Sequence, residues 1–281
     1  MLSNKLKQLV AKYYFLKKII MFIRKIQLKS IAILFEFQAS CREKGIIGKS
    51  YRPLKSIHNI HKGKRCFIIA TGPSLSLSDV EKLENEYTIS MNSMCLALDK
   101  TNWRPTYYGI QDENVYEKIE SVLKSANLPN VLISDNIAKR FSINSSWIQY
   151  PLNIAYHSYE QGYEQRYFAK FSDNCYRAVY DGYSVTYSLI QLAVYMGFNE
   201  IYLLGADTNY SKDKTKQHFV ESGHFDPLYK TAGERMIIAY KVAKEYADSH
   251  GINIYNATRG GMLEVFPRVD LDEVLGLKER Q

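Results

Sequence analysis

The hydrophobic positions of this chain fall into short runs separated by polar turns, and the runs alternate between two periods. CFIIA (66–70), YTISMN (87–92), TYYGIQ (106–111), NVLIS (130–134), IYLLGA (201–206) and INIYNA (252–257) are compact, mainly apolar stretches of strand length. Such runs suit strands covered on both faces. Between them, 75–84, 114–125, 184–196 and 233–249 carry apolar residues at the three- and four-residue spacing of an amphipathic helix. Gly197 follows Met196 where a helix C-terminus takes a left-handed glycine. Strands alternating with such helices predict an α/β fold: a single Rossmann-like, doubly wound, mostly parallel sheet. Residues 141–180 have little periodicity and many aromatics, and are expected to form an insertion or lid.

Charge divides the chain further. The net charge is +8, and residues 1–65 hold all of the excess, with Glu36 and Glu43 as their only acids. Residues 1–45 read as one or two basic amphipathic helices. Residues 46–64, with Gly48, Pro53 and Gly63, read as a linker, and 65–275 as the catalytic domain. Lys and Arg interleaved with Phe, Tyr, Leu and Ile make the pattern of a helix lying on an anionic membrane surface. Docking on its own domain or in a homo-oligomer is the alternative. No stretch reaches about 18 uncharged apolar residues, so a membrane-spanning helix is not expected. A secretory leader is not expected either, because no small-residue cleavage site follows a clean apolar core. A nucleic-acid partner is not expected, since no recognised module accompanies the basic segment. The four cysteines (Cys41, Cys66, Cys95, Cys175) form no CxxC, which suits a reducing compartment and argues against structural zinc or a disulfide framework.

Candidate chemistry collects after the strands, where open α/β sheets bind their ligands. Thr71, Gly72 and Ser74 form the turn after the first strand, with Ser74 or Ser78 as a cap for the helix that follows. A glycine-bearing turn before a helix N-terminus favours phosphate. Asn92, Gln111, Asp112, Asp207, Tyr210, Asn256, Thr258 and Arg259 end or follow the other strands. Asn and Gln supply both donors and an acceptor to a base or to sugar hydroxyls. Tyr210 suits donation to a phosphate, and Arg259 a forked pairing with phosphate or carboxylate. Asp207 is a catalytic candidate that also suits capping of its own turn. His218, in KQHFVESGHFD, is the candidate general base, with His224 as its rival. The set is rich in neutral hydrogen-bonding groups and poor in cation ligands, so neither a metal nor a resident cofactor is expected. There is no GxGxxG and no P-loop.

VTYSLIQLAVYMGFNEIYLLGADTNY, the QHF of the next loop, and IYNATRGGMLEVFPRVDLDEVL together resemble the bacterial domain-of-unknown-function family 115, often labelled 6-hydroxymethylpterin pyrophosphokinase-like. The layout ATGPSL, then an Asn-ended strand, then GFNEIYLLGAD is also similar to the sialyltransferases of glycosyltransferase family 42. The second resemblance implies a metal-independent inverting glycosyltransferase with a CMP-linked acidic sugar donor and a histidine base. Asn92 matches the Asn of that family's second strand, Ser184 or Thr186 falls near its helix-start Ser, and Thr71 stands where it has Asn. Ser93 stands where it has Gln, and His218 lies in the loop of its base. The expected partners are a nucleotide-sugar donor and a glycan or lipid-linked acceptor of surface-polysaccharide synthesis. The expected location is cytoplasmic, on the inner face of the cell membrane. The alternatives are an ATP-dependent pyrophosphokinase, which would seek Mg²⁺ from Asp112, Glu113 and Asp207, and a non-catalytic assembly scaffold.

Overall fold

The computed structural model describes residues 14–155, 167–209, 219–220 and 229–277. Among these, the strands are β1 (Arg65–Ile69), β2 (Thr88–Met91), β3 (Tyr107–Ile110), β4 (Val131–Ser134), β5 (Ile148–Tyr150), β6 (Leu152–Asn153), β7 (Val179–Tyr180), β8 (Glu200–Leu204) and β9 (Asn253–Asn256). The helices are α1 (Tyr14–Glu43), α2 (Arg52–Ser56), α3 (Leu77–Glu81), α4 (Glu113–Ser125), α5 (Asp135–Arg140), α6 (Val185–Tyr195), α7 (Tyr229–Ser249) and α8 (Leu271–Val274), with a 3₁₀ stretch at Asn92–Lys100. Seven strands form one sheet in the order β5-β4-β3-β2-β1-β8-β9, and every ladder in it is parallel.

Alternation along each strand feeds two cores, one per face. Cys66 and Ile68 of β1 join Leu189 and Ile190 of α6 and Ala239 and Tyr240 of α7 on one side. Phe67 and Ile69 join Ile119 and Leu123 of α4 and Met94 of the 3₁₀ stretch on the other. Burying each such aliphatic side chain contributes about 1.5–3 kcal/mol. α4 is capped by Asp112, whose carboxylate accepts the N–H groups of Asn114 and Val115. α6 is capped by Ser184 and closes at Gly197, in the left-handed conformation expected there (φ 92°).

Three segments depart from the sequence reading. Residues 49–57, expected as a linker, fold onto the sheet: Leu54 is fully buried and Ile57 nearly so, in the same core as Tyr195 and Met196. Pro53 opens α2 rather than breaking the chain. A five-residue helix is too short to show a period. Within 141–180, expected as an insertion or lid, Ile148–Tyr150 pairs in register with β4, and β6 pairs with β7. Strands of two and three residues carry no readable alternation. The cap of α3 is Ser76, not Ser74 or Ser78.

α1 is docked at its C-terminal end. Buried Arg42 donates to the carbonyls of Tyr176 (3.3 Å) and Arg177. Arg177 in turn pairs with Glu36 (2.8 Å) and with Glu43. No helix among the described residues is long and apolar enough to cross a membrane.

Candidate functional site

Strand order reverses between β1 and β8, since the chain runs outward from β1 through β2 to β5 and then returns to the other side of β1. That switch point opens a crevice between the loops after the two strands. The loops are bound to each other. Gly72 N–H donates to the Gly205 carbonyl at 2.9 Å, and Ala70 N–H to Leu204 at 2.8 Å. The Ser74 hydroxyl donates to Asp207 Oδ2 at 2.8 Å, with the Ser74 N–H at 3.4 Å from the same oxygen. Gly72 makes this approach possible, because a Cβ there would collide with the Asp207 carboxylate and the Gly205 carbonyl.

Asp207 is buried and held from behind. Its carbonyl accepts the Met262 N–H (2.8 Å) and the Thr208 hydroxyl (2.7 Å). Gly261 packs so closely that a Cβ would lie 2.8 Å from Asp207 Cα. Thr208 has φ 53°, a left-handed conformation that a β-branched residue adopts only when its surroundings impose it. Burial raises the Asp207 pKa from its ordinary value; the Ser74 hydrogen bonds and the Arg268 charge pull the other way without cancelling it. Asp207 therefore combines an acceptor for Ser74 with a proton affinity above that of a solvated Asp.

The third wall is the loop after β9. Asn256 is fully buried, and its amide is spent inside the protein: Nδ2 donates to the Leu263 carbonyl (2.7 Å) and Oδ1 accepts Thr258 N–H (3.0 Å). Thr258 Oγ1 accepts Ala206 N–H at 3.0 Å. Arg268 ties the loop down by donating to the carbonyls of Thr258 (3.1 Å) and Gly260 (2.7 Å). The Arg259 guanidinium donates to Asp79 and to Ser76 (3.2 Å), spanning a cleft of about 90 Å³ that Ser74, Lys82 and Thr258 also line. Asn256 and Arg259, picked from the sequence as binding residues, thus make their described contacts within the protein.

On the other side of β1 the edge carries Asn92, Gln111, Asp112 and Ser184. Asn92 has φ 49°; its carbonyl accepts the buried Tyr108 hydroxyl, while its amide oxygen is buried with no partner among the described residues. Gln111 donates to Asp181 Oδ1 (3.1 Å), which also receives Tyr183 N–H (3.0 Å), with Tyr183 at φ 67°. The first turn of α6 reaches the end of β2, where Thr186 Oγ1 lies 3.6 Å from Met91 Sδ. The structure thus brings Thr71, Gly72, Ser74 and Asp207 together at the crevice, sets Asn92, Gln111 and Ser184 along the same edge, and commits the Asp112 carboxylate to capping α4. Tyr210, His218 and His224 lie outside the described residues. Phe219, which follows His218, donates its N–H to the Thr71 carbonyl at 2.8 Å.

Asp181, Thr208 and Arg268 were missed. Asp181-Gly182 just before Ser184 is a turn signal visible in the sequence. Thr208 and Arg268 left no sequence signal, since their roles are strain and long-range anchoring. Asp112, Glu113 and Asp207, the carboxylates a divalent cation would need, are committed separately. Glu113 pairs with Arg140 (2.8 Å), and no three His, Cys, Asp or Glu side chains gather among the described residues. The three carboxylates thus form no single cluster among the described residues.

The sequence model of the family described as "6-hydroxymethylpterin diphosphokinase MptE-like" matches residues 47–213, more than half of the chain. No curated protein matches it. Among solved structures, the MAf glycosyltransferase from Magnetospirillum magneticum AMB-1 is similar over 79% of this chain at 16% identity and a TM-score of 0.46; the chain spans 38% of that protein's length. The sialyltransferase CstII from Campylobacter jejuni, in complex with the substrate analogue cytidine-5'-monophosphate, is similar over 74% of this chain and 85% of its own, at 15% identity and a TM-score of 0.46.

Proposed function

The chain belongs to the 6-hydroxymethylpterin diphosphokinase MptE-like family, and we propose that within it this chain is a metal-independent, inverting glycosyltransferase using a nucleotide-activated sugar, with a CMP-linked acidic sugar as donor. The observation that carries the proposal is the hydrogen bond from Phe219 to Thr71, because it sets the residue that follows His218 in the sequence against the turn of the crevice. His218 takes the proton of an acceptor hydroxyl. The hydroxyl oxygen forms a bond to the anomeric carbon as the bond to the nucleotide phosphate breaks, and the nucleotide leaves with the electron pair. Tyr210 steadies that phosphate. The Thr71–Ser74 turn and the uncommitted amide oxygen of Asn92 hold the nucleotide, the latter as an acceptor for a base amine or a ribose hydroxyl. Asp207 keeps the Ser74 hydroxyl aimed across the crevice, and Asn256 and Arg259 shape its third wall. The acceptor is a glycan or a lipid-linked glycan.

The family's description favours a second reading, transfer of diphosphate from ATP to a pterin alcohol. Thermal melts with CMP, CDP, UDP, GDP and ATP, each with and without Mg²⁺, separate the two, because a ligand bound only by the folded state raises the midpoint. The expected result is a Mg²⁺-independent rise with CMP that Asn92→Ala abolishes. A rise with ATP only when Mg²⁺ is present selects the diphosphokinase. Acceptor glycosylation that survives His218→Ala removes the histidine from the role of base.

A further inference from the structure

α1 presents two unlike faces. The inward face carries Leu28 and Ala39, both buried, and Arg42, which is clamped on the 176–177 carbonyls. The two acids of the helix turn toward the domain, where Arg177 pairs with both. The opposite face is apolar and open: Phe15 is 74% exposed, Phe22 65%, Ile33 71% and Phe37 65%. A soluble surface rarely leaves so large an apolar patch without an occupant.

We propose that this face of α1 docks on an anionic lipid surface, with the helix axis in the plane of the membrane. Three features fix the occupant. The first is width: Ile23 and Leu34, 58% and 57% exposed, lie well to the side of the Phe15–Phe22–Ile33 line, so the apolar arc covers about half the circumference. A paired helix would cover only a narrow seam, and here Lys29 stands in that seam between Ile26 and Ile33. The second is charge. Lys18 and Lys29, both exposed, lie along one edge of the apolar arc, and the two carboxylates on that side of the helix, Glu36 and Glu43, are paired with Arg177. That leaves a basic rim suited to acidic headgroups and repelled by a second copy of itself. The third is composition: the helix is long enough to span a bilayer but not apolar enough, and it exposes three Phe side chains on one side, the balance of an in-plane helix. The helix packs close to the sheet edge that carries Gln111, because its domain-facing Glu36 accepts from Tyr180 (3.3 Å), the neighbour of the Asp181 that holds Gln111.

The test is flotation of the full chain with vesicles of phosphatidylcholine alone and of phosphatidylcholine mixed with phosphatidylglycerol, alongside light scattering for mass. The chain is expected to float with the anionic vesicles and to lose most of that binding at high salt. Phe22→Glu with Phe37→Glu, and separately Lys18→Glu with Lys29→Glu, are each expected to lower the partition coefficient by about tenfold or more. Both variants change exposed residues and are expected to keep the wild-type melting midpoint and its response to nucleotides. Failure here would therefore leave the reading of the crevice standing. The proposal is overturned if the wild-type chain ignores anionic vesicles, if the Phe variant floats as well as the wild type, or if the wild type is a dimer that the Phe variant dissolves without loss of vesicle binding.

Discussion

Asp207 meets two opposing demands. Burial penalises its charge, while Ser74 donates to it twice and Arg268 attracts it, and the balance leaves its pKa raised. A carboxyl whose folded pKa lies above its unfolded value adds stability that is fully present below the unfolded pKa and is lost as pH rises through the folded one. At neutral pH this carboxyl is therefore a burden on the fold. Asp207→Asn keeps an acceptor for Ser74 and sheds the charge. It is expected to raise the melting midpoint at neutral pH, with the gain shrinking as pH falls into the ordinary carboxylate range, as melts across pH will show. Gly72 carries the complementary constraint. Gly72→Ala is expected to cost about 1–3 kcal/mol in denaturant unfolding, because its methyl group would have to displace Asp207 or the β8 turn. Both residues were legible in the sequence as a strand-end Asp and a turn glycine. Their mutual contact was not, because 135 positions of chain separate them and only the pairing of β1 with β8 brings them together.

Among the elements, the long ones announced themselves and the short ones did not. α4, α6 and α7 repeat an apolar face over several turns, and β1 and β8 are unbroken apolar runs, so their types followed from periodicity. α2 is a short five-residue helix with a proline in its first turn, and β5 spans Ile148–Tyr150. Such pieces exist because a neighbour covers them, not because of a local preference. Leu54→Ala tests this for the segment expected to be a linker. A fully buried leucine in the core under α6 is expected to cost about 2–5 kcal/mol, whereas a true linker position would cost almost nothing. Equilibrium urea unfolding distinguishes the two.

For the molecule as a whole, one sheet with a core on each face implies a shared fate. Ile190→Ala beneath α6 and Ile119→Ala beneath α4 open cavities on opposite faces. Each is expected to destabilise the protein by about 2–5 kcal/mol, and near- and far-UV circular dichroism should report one coincident transition in both variants. Two separated transitions would mean that the faces unfold independently. The sequence by itself determined the α/β class, the central strands and their flanking helices, and the edge of the sheet on which polar residues gather. Those follow from local periodicity and from the rule that parallel strands end on one side. Strand order, the switch point between β1 and β8, the grip of Ser74 on Asp207, the internal commitment of Asn256 and Arg259, and the side on which α1 is left open were decided only by tertiary structure. Each depends on contacts between residues far apart in the chain, whose burial stabilises the fold only once the sheet has formed.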